Sequence, residues 1–235
     1  MWSEKYRFFH ELIQVSMKES EFTLSPIEIN QSVFDKELYR EEGKHSWNGC
    51  LIKIDLLLEC LRSTEESYIL FTDVDLIVKS DVYKNLKAHM DAEQTMVFLE
   101  EGEHLNIGFI LLKVCPEVIE FWSDVRDAMI KNPGHDQKYV NDMICNYKGV
   151  WAKFDNQIFT CSNIWNGTTE FSVLQPLSSC LGKEFDFAEK IFTAAQHIDV
   201  NDYMRYVPEG ILPYIYQFQE LLFRAHQESS PAVNS

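Results

Sequence analysis

Residues 68–78 read Tyr-Ile-Leu-Phe-Thr-Asp-Val-Asp-Leu-Ile-Val, and two carboxylates inside such an apolar run leave few folds open. A continuous stretch rich in Ile, Leu, Val and aromatics fits a buried strand of a parallel sheet. Alternate residues of an extended chain share a face, so Asp73 and Asp75 are expected to project the same way, about 7 Å apart at the backbone. Carboxylates so placed repel each other and resist desolvation. A hard divalent cation, which prefers oxygen ligands, relieves both penalties. In open α/β sheets ligands collect where strands end, so a strand finishing in Asp-x-Asp is well placed for a metal-bound phosphate. The plainer reading is a solvated turn, where Asp is common. Against it, Leu76-Ile77-Val78 resumes the apolar run at once.

The 235 residues suffice for one sizeable core, and a single domain is expected over 1–228 with a flexible tail at 229–235. With 37 acidic and 21 basic residues the formal charge is −16, a field that repels nucleic acid and anionic membranes. An anionic small-molecule substrate would also be repelled unless a cation bridged it. No apolar stretch reaches the roughly 18 residues of a transmembrane span. The opening Met-Trp-Ser-Glu-Lys-Tyr-Arg has no apolar signal core, so a cytoplasmic chain is expected. The six cysteines show no CxxC and no regular spacing, which argues against structural disulfides or zinc. Two glycosylation sequons, at Asn30 and Asn166, carry no meaning without secretion.

Along the chain, Phe8, Leu12, Ile13 and Val15 predict a helix over 4–19. Phe22 to Ile29 alternates around a proline and reads as an edge strand. Leu51, Ile54, Leu57, Leu58 and Leu61 make the stripe of a helix over 50–62. After the Asp-x-Asp strand, a short helix runs from Asp81 to about Met90, capped by Asp81 or Ser80. Met96–Leu99 and Ile107–Leu112 read as strands joined by the acidic loop Glu100-Glu101-Gly102-Glu103. Pro116 opens a helix through Ile130, another covers Gln137–Asn146, and 150–160 holds one or two short strands. Segment 162–190 is turn-rich and is not assigned; Ile211–Ala225 reads as a closing helix. The alternation predicts an α/β fold with a mixed, mainly parallel sheet flanked by helices.

A set of short motifs follows one order: Trp47-Asn48-Gly49 with Lys53 on one helix, Tyr-Ile-Leu-Phe-Thr-Asp-Val-Asp, Asn106-Ile-Gly-Phe, His135-Asp136-Gln137, and a late Ala-Gln-His197. Over roughly residues 40 to 200 this resembles the nucleotide-diphospho-sugar transferases of the GT-A fold, small glycosyltransferases whose Asp-x-Asp (DxD) motif holds manganese against a sugar nucleotide. The resemblance implies a metal-dependent transfer from a nucleotide-sugar donor to a glycan or other small acceptor. It implies Mn2+ or Mg2+ held by Asp73, Asp75 and His197, with Asp73 also near the donor. A cation there would neutralise the diphosphate as charge builds on the leaving group.

The same resemblance places Lys53 beside the donor phosphate or sugar, where a point charge suits the task; the bland fate of a helical Lys is a solvated face. Asn106 and Gly108 interrupt a buried strand, marking either ligand approach or a bulge. Asp136 and Gln137 would touch donor sugar or acceptor, with Asp136 able to act as general base in an inverting enzyme, although Asp at a helix start is ordinarily a cap. His135 is a weaker candidate for that base. Asn163 and Trp165-Asn166-Gly167 fall where the family carries an acceptor-side loop.

The chain departs from the family in one respect: it opens in what reads as a helix, without the first apolar strand whose end contacts the nucleotide base. A longer natural N-terminus, or weak donor binding through metal and sugar contacts alone, is expected. Haloacid-dehalogenase phosphatases also use strand-Asp-x-Asp, but Gly-Thr follows their motif where Leu-Ile stands here. A nucleotidyltransferase would show a Gly-rich phosphate loop near its start. A glycan- or sugar-nucleotide-binding domain without turnover is the non-enzymatic alternative.

Overall fold

The computed structural model describes residues 6–17, 22–29, 48–78, 82–162, 171–177 and 183–195. In chain order the elements are α1 (Arg7–Ser16), α2 (Asn48–Ser63), β1 (Tyr68–Thr72), β2 (Ile77–Val78), α3 (Val82–Asp91), β3 (Met96–Glu101) and β4 (His104–Lys113). There follow α4 (Pro116–Lys131), α5 (Asp136–Met143) with a single 3-10 turn at Ile144–Asn146, β5 (Trp151–Lys153), β6 (Phe159–Cys161), β7 (Val173–Gln175) and α6 (Lys183–Ala195).

The strands form two sheets, ordered β1-β4-β3-β5 and β2-β7-β6. The fold is α/β and mixed, as the alternation predicts. It is not mainly parallel among the described residues: β1/β4, β3/β4 and β2/β7 are antiparallel, whereas β3/β5 and β6/β7 are parallel. The β3–β4 hairpin explains part of this. Its strands extend further than expected, to Glu101 and from His104, and Gly102 at φ 62° supplies the left-handed residue of a two-residue turn.

The apolar run 68–78 is not one strand. β1 ends at Thr72, Asp73 N–H still donates to the Gly108 carbonyl at 2.7 Å, and then the ladder stops. A tight turn, Leu76 N–H to Val74 O at 2.9 Å, carries the chain into β2 of the other sheet. The break places both carboxylates in the connection between the two sheets, and the burial of Asp75 there is tolerated because an ammonium pairs with it.

Side-chain alternation on β3 and β4 feeds a core on each face of the larger sheet. Met96, Phe98, Ile110 and Leu112 pack with Ile54, Leu57, Leu58 and Leu61 of α2 and with Val118, Trp122 and Val125 of α4. The opposite residues, Val97, Leu99, Phe109 and Leu111, pack with Phe8, Phe9, Leu12 and Ile13 of α1, with β2, β6 and β7, and with Phe187, Ala188 and Ile191 of α6. The result is helix, sheet, and then a second layer of strands and helices.

Two expectations are corrected here, and others fall elsewhere. Residues 22–29 make only an isolated bridge at Glu28 and no strand; Pro26 has no N–H to offer a ladder. Segment 162–190, unassigned from sequence, contains β7 and most of α6. The expected helix at 211–225, the cap at Ser80 or Asp81, His197, Asn163 and Trp165-Asn166-Gly167 lie outside the described residues. Among the described residues β1 pairs with β4 alone, and no other strand lies beside it.

At Asn106–Phe109 the register shifts: Phe98 pairs with Ile110, but Leu99 pairs with Asn106. Ile107, Gly108 and Phe109 therefore intervene on β4 without partners on β3. Gly108 lies under the side chain of Gln175 from β7, and a Cβ there would sit 2.1 Å from the Gln175 Nε2. Gln175 is itself buried, with its Oε1 lacking a hydrogen-bond partner, so it has no solvent to retreat into. Gly108→Ala is expected to destabilise the fold by about 1–3 kcal/mol through overpacking. Urea unfolding measures this, and an unchanged midpoint would show that the Gln175 amide moves aside freely.

Candidate active site

The motif stands where β1 stops, and both carboxylates hold an ammonium. Lys53, on α2, places its Nζ 2.7 Å from Asp73 Oδ1. Lys190, on α6, places its Nζ 2.5 Å from Asp75 Oδ2. Lys53 is only 7% exposed and Asp75 5%, so neither pair is the weakly coupled surface kind. The solvated-face reading of Lys53 is therefore set aside: the residue before Ile54 turns toward the strand end. Burial raises Asp73's carboxyl pKa and the Lys53 ammonium lowers it, with the net result below the ordinary value. Asp75 goes the other way, raised by burial and by Asp73 against the pull of Lys190. Burial disfavours charge on Lys53, but Asp73 and Asp136 outweigh it and hold its pKa up. Tyr6, just before α1, faces the same cluster: burial and then Asp75 push its phenol up.

Asp136 belongs to the same group, its charge helping to hold the Lys53 pKa up. His135 occupies the cap position of α5 without a side-chain cap hydrogen bond, and Asp136 is the first helical residue. It is 4% exposed, its Oδ1 accepts the Gln137 N–H at 2.9 Å, and His135 Nε2 lies 3.7 Å away. Cys50 of α2 hydrogen-bonds to Asp136; burial, reinforced by that carboxylate, pushes the thiol up to about 12. Lys53 thus pairs with Asp73 and feels the charge of Asp136, the three brought from parts of the chain far apart in sequence.

Hydrogen bonds clamp α5 onto β4 and so fix Asp136. Asn141 Oδ1 accepts the Leu105 N–H at 2.8 Å, and its Nδ2 donates to Leu105 O at 2.9 Å and Gln137 O at 2.8 Å. Glu101 Oε2 accepts from Asn106 Nδ2 at 2.8 Å and from Gln137 Nε2 at 3.0 Å. Asn106 Oδ1 accepts the Gly108 N–H at 2.6 Å, and Gln137 Oε1 accepts the Ile107 N–H at 3.4 Å. The predicted residues Asn106 and Gln137 thus meet at Glu101, with Gly108 bonded to Asn106 and Asp136 to Gln137. Sequence reasoning left Glu101 in an acidic loop and missed Lys190 altogether. Phe187, Ala188, Ile191 and Ala194, all buried, were the available signal for α6, since that spacing is helical.

The donor chemistry at Asp73 and Asp75 fits a hard cation, and the two lysine ammoniums act as stand-ins that show the demand for positive charge. Among the described residues a second group offers three potential metal ligands: Cys50, His135 and Asp136, whose ligand atoms lie within 4.8 Å of one another. A thiol, an imidazole and a carboxylate suit zinc better than manganese.

The family model of nucleotide-diphospho-sugar transferases matches residues 60–189. The chain belongs to that family. The match takes in Asp73, Asp75, Asn106, Gly108, Asp136 and Gln137, begins after Lys53 and ends one residue before Lys190. This glycosyltransferase resembles in fold a solved glycosyltransferase involved in glycosylation of the major capsid of PBCV-1, at TM-score 0.53 and 14% identity over 79% of this chain and 89% of that one. Weaker likenesses are the apo form of mouse xyloside xylosyltransferase 1 (TM-score 0.45, 13% identity, 72% and 80% covered) and GlyE of Streptococcus pneumoniae TIGR4 (0.45, 15%, 75% and 54%). No curated protein matches the chain by sequence. Among the described residues no helix is long and apolar enough to cross a membrane.

Proposed function

We propose that this transferase moves a sugar from a nucleotide-diphosphate donor to a hydroxyl of a glycan or other small acceptor, in one GT-A-like domain over 1–228, with Mn2+ or Mg2+ held by Asp73, Asp75 and His197. The observation that carries this reading is the buried charge cluster at the end of β1. Lys53 pairs with Asp73 and lies beside Asp136, all within a family whose substrates are sugar nucleotides. The cation, when bound, supplies positive charge against the donor diphosphate.

The chain's own residues do the rest. Lys53 keeps Asp73 ionised and provides fixed positive charge near the donor. Asn106, Gly108 and Gln137 form the donor-side wall, with Glu101 orienting both amides. In an inverting transfer Asp136, held at the start of α5, takes the proton of the acceptor hydroxyl as that oxygen bonds the anomeric carbon and the bond from that carbon to the donor diphosphate breaks, releasing nucleoside diphosphate.

Asp136→Asn tests the assignment. The side chain is isosteric and keeps an acceptor for the Gln137 N–H, so the melting temperature should fall little. Turnover, read as nucleoside diphosphate released from a panel of nucleotide sugars with Mn2+, should fall by about 10²–10⁴. A lowered melting temperature with unchanged turnover would make Asp136 a structural residue. Donor binding without turnover in the wild type would favour the non-enzymatic alternative.

A further inference from the structure

We propose that Lys190 is a tethered counter-ion that occupies the cation side of Asp75 and must leave before a divalent metal binds there, so that the unliganded site is latched shut. This rests on the metal reading above. The Lys190 ammonium lies 2.5 Å from Asp75 Oδ2, with the two side chains 18% and 8% exposed. Water therefore screens the pair poorly, and the ammonium is the main influence that favours the ionised carboxylate, with a backbone hydrogen bond adding to it. Lys190 thus takes the place beside Asp75 that a cation would need, while Lys53 answers Asp73 and Asp136.

One of the two lysines can leave more easily than the other. Lys53 is held by Asp73 and Asp136 on a helix whose neighbouring residues Ile54 and Leu57 are core. Lys190 bonds Asp75 alone among these carboxylates, although the field of Asp73 also reaches it. Its helix is anchored by Phe187, Ala188, Ile191 and Ala194, so the backbone stays while the flexible four-carbon stem swings. A donor diphosphate offers the ammonium a stronger partner, so metal and donor are expected to bind together rather than in independent steps.

The test measures Mn2+ alone, by loss of the free-ion electron paramagnetic resonance signal, on wild type, Lys190→Gln and Lys190→Arg. Glutamine keeps a hydrogen-bond donor for Asp75 and removes the charge. Removing a charged competitor from a buried site should tighten Mn2+ binding by about tenfold or more in Lys190→Gln, while Lys190→Arg stays near wild type. Mn2+ should also raise the melting temperature of Lys190→Gln more than that of wild type. Equal or weaker binding by Lys190→Gln, with measurable binding in wild type, overturns the latch and leaves the metal site standing. No binding by any variant overturns the metal reading and the latch with it. Should Lys190→Gln unfold without metal, Mn2+ titration of its circular dichroism decides: recovery of the fold supports the competition, and no recovery overturns it.

Discussion

Asparagine at position 75 is expected to lower manganese-dependent transfer by about a hundredfold or more, because it removes the one fully buried carboxylate of the motif from the charge balance around the diphosphate. The substitution keeps shape and a hydrogen-bond acceptor, so the Lys190 ammonium retains a neutral partner where it had a carboxylate at 2.5 Å. A charge-assisted hydrogen bond reduced to a neutral one should cost about 1–3 kcal/mol of stability. The two effects separate experimentally: urea unfolding reports the second, and turnover at saturating donor across a Mn2+ titration reports the first. Wild-type turnover in Asp75→Asn would remove Asp75 from the metal site, whatever happened to stability.

Local periodicity explains what could be read in advance. The stripe from Leu51 to Leu61 predicts a helix over 50–62, and α2 spans Asn48–Ser63; Pro116 marks the start of α4 as expected. Those features depend on neighbours within a turn or two. The break at Asp73–Leu76 was hidden because both halves of the apolar run are buried, one in each sheet. A run of hydrophobic residues reports burial and says nothing about which sheet buries it. Strand direction was equally out of reach, since the antiparallel β1/β4 and β3/β4 pairs are set by which strands meet and not by their composition.

The site was half legible for a related reason. Asp73, Asp75, Asn106, Gly108 and Asp136 stand in short motifs whose order can be followed along the chain. Lys190 and Glu101 do not. Lys190 acquires its meaning only when α6 lays it against Asp75, 115 residues away. Glu101 acquires its own when α5 brings Gln137 within 3.0 Å of the carboxylate that already holds Asn106. In the sequence the first is one lysine in a turn-rich stretch and the second is one of three glutamates in a surface hairpin. Family membership could be read from the motifs, but the electrostatics of the motifs required the fold.

Lys53→Met should have the larger effect on stability. The thioether chain has nearly the length of the lysine stem and fills the same space among Ile54 and Leu57, so packing is preserved while the charge is lost. Asp73, whose side chain is 32% exposed, and the buried Asp136 would then both lose the cation they share. Breaking a buried pair by removing one partner costs about 3–5 kcal/mol, which urea unfolding at neutral pH should register as a large shift in midpoint with little change in slope. The carboxyl of Asp73, now held below its ordinary pKa by Lys53 against burial, would lose that support, and transfer should collapse with it. A second variant isolates the cause. Lys53→Met combined with Asp73→Asn removes both partners and should recover a large part of the lost stability, because the buried uncompensated charge goes with them. If Lys53→Met alone costs less than about 1 kcal/mol, in the range of an exposed pair, water reaches the cluster, and Lys53 is a surface lysine that happens to sit near a carboxylate.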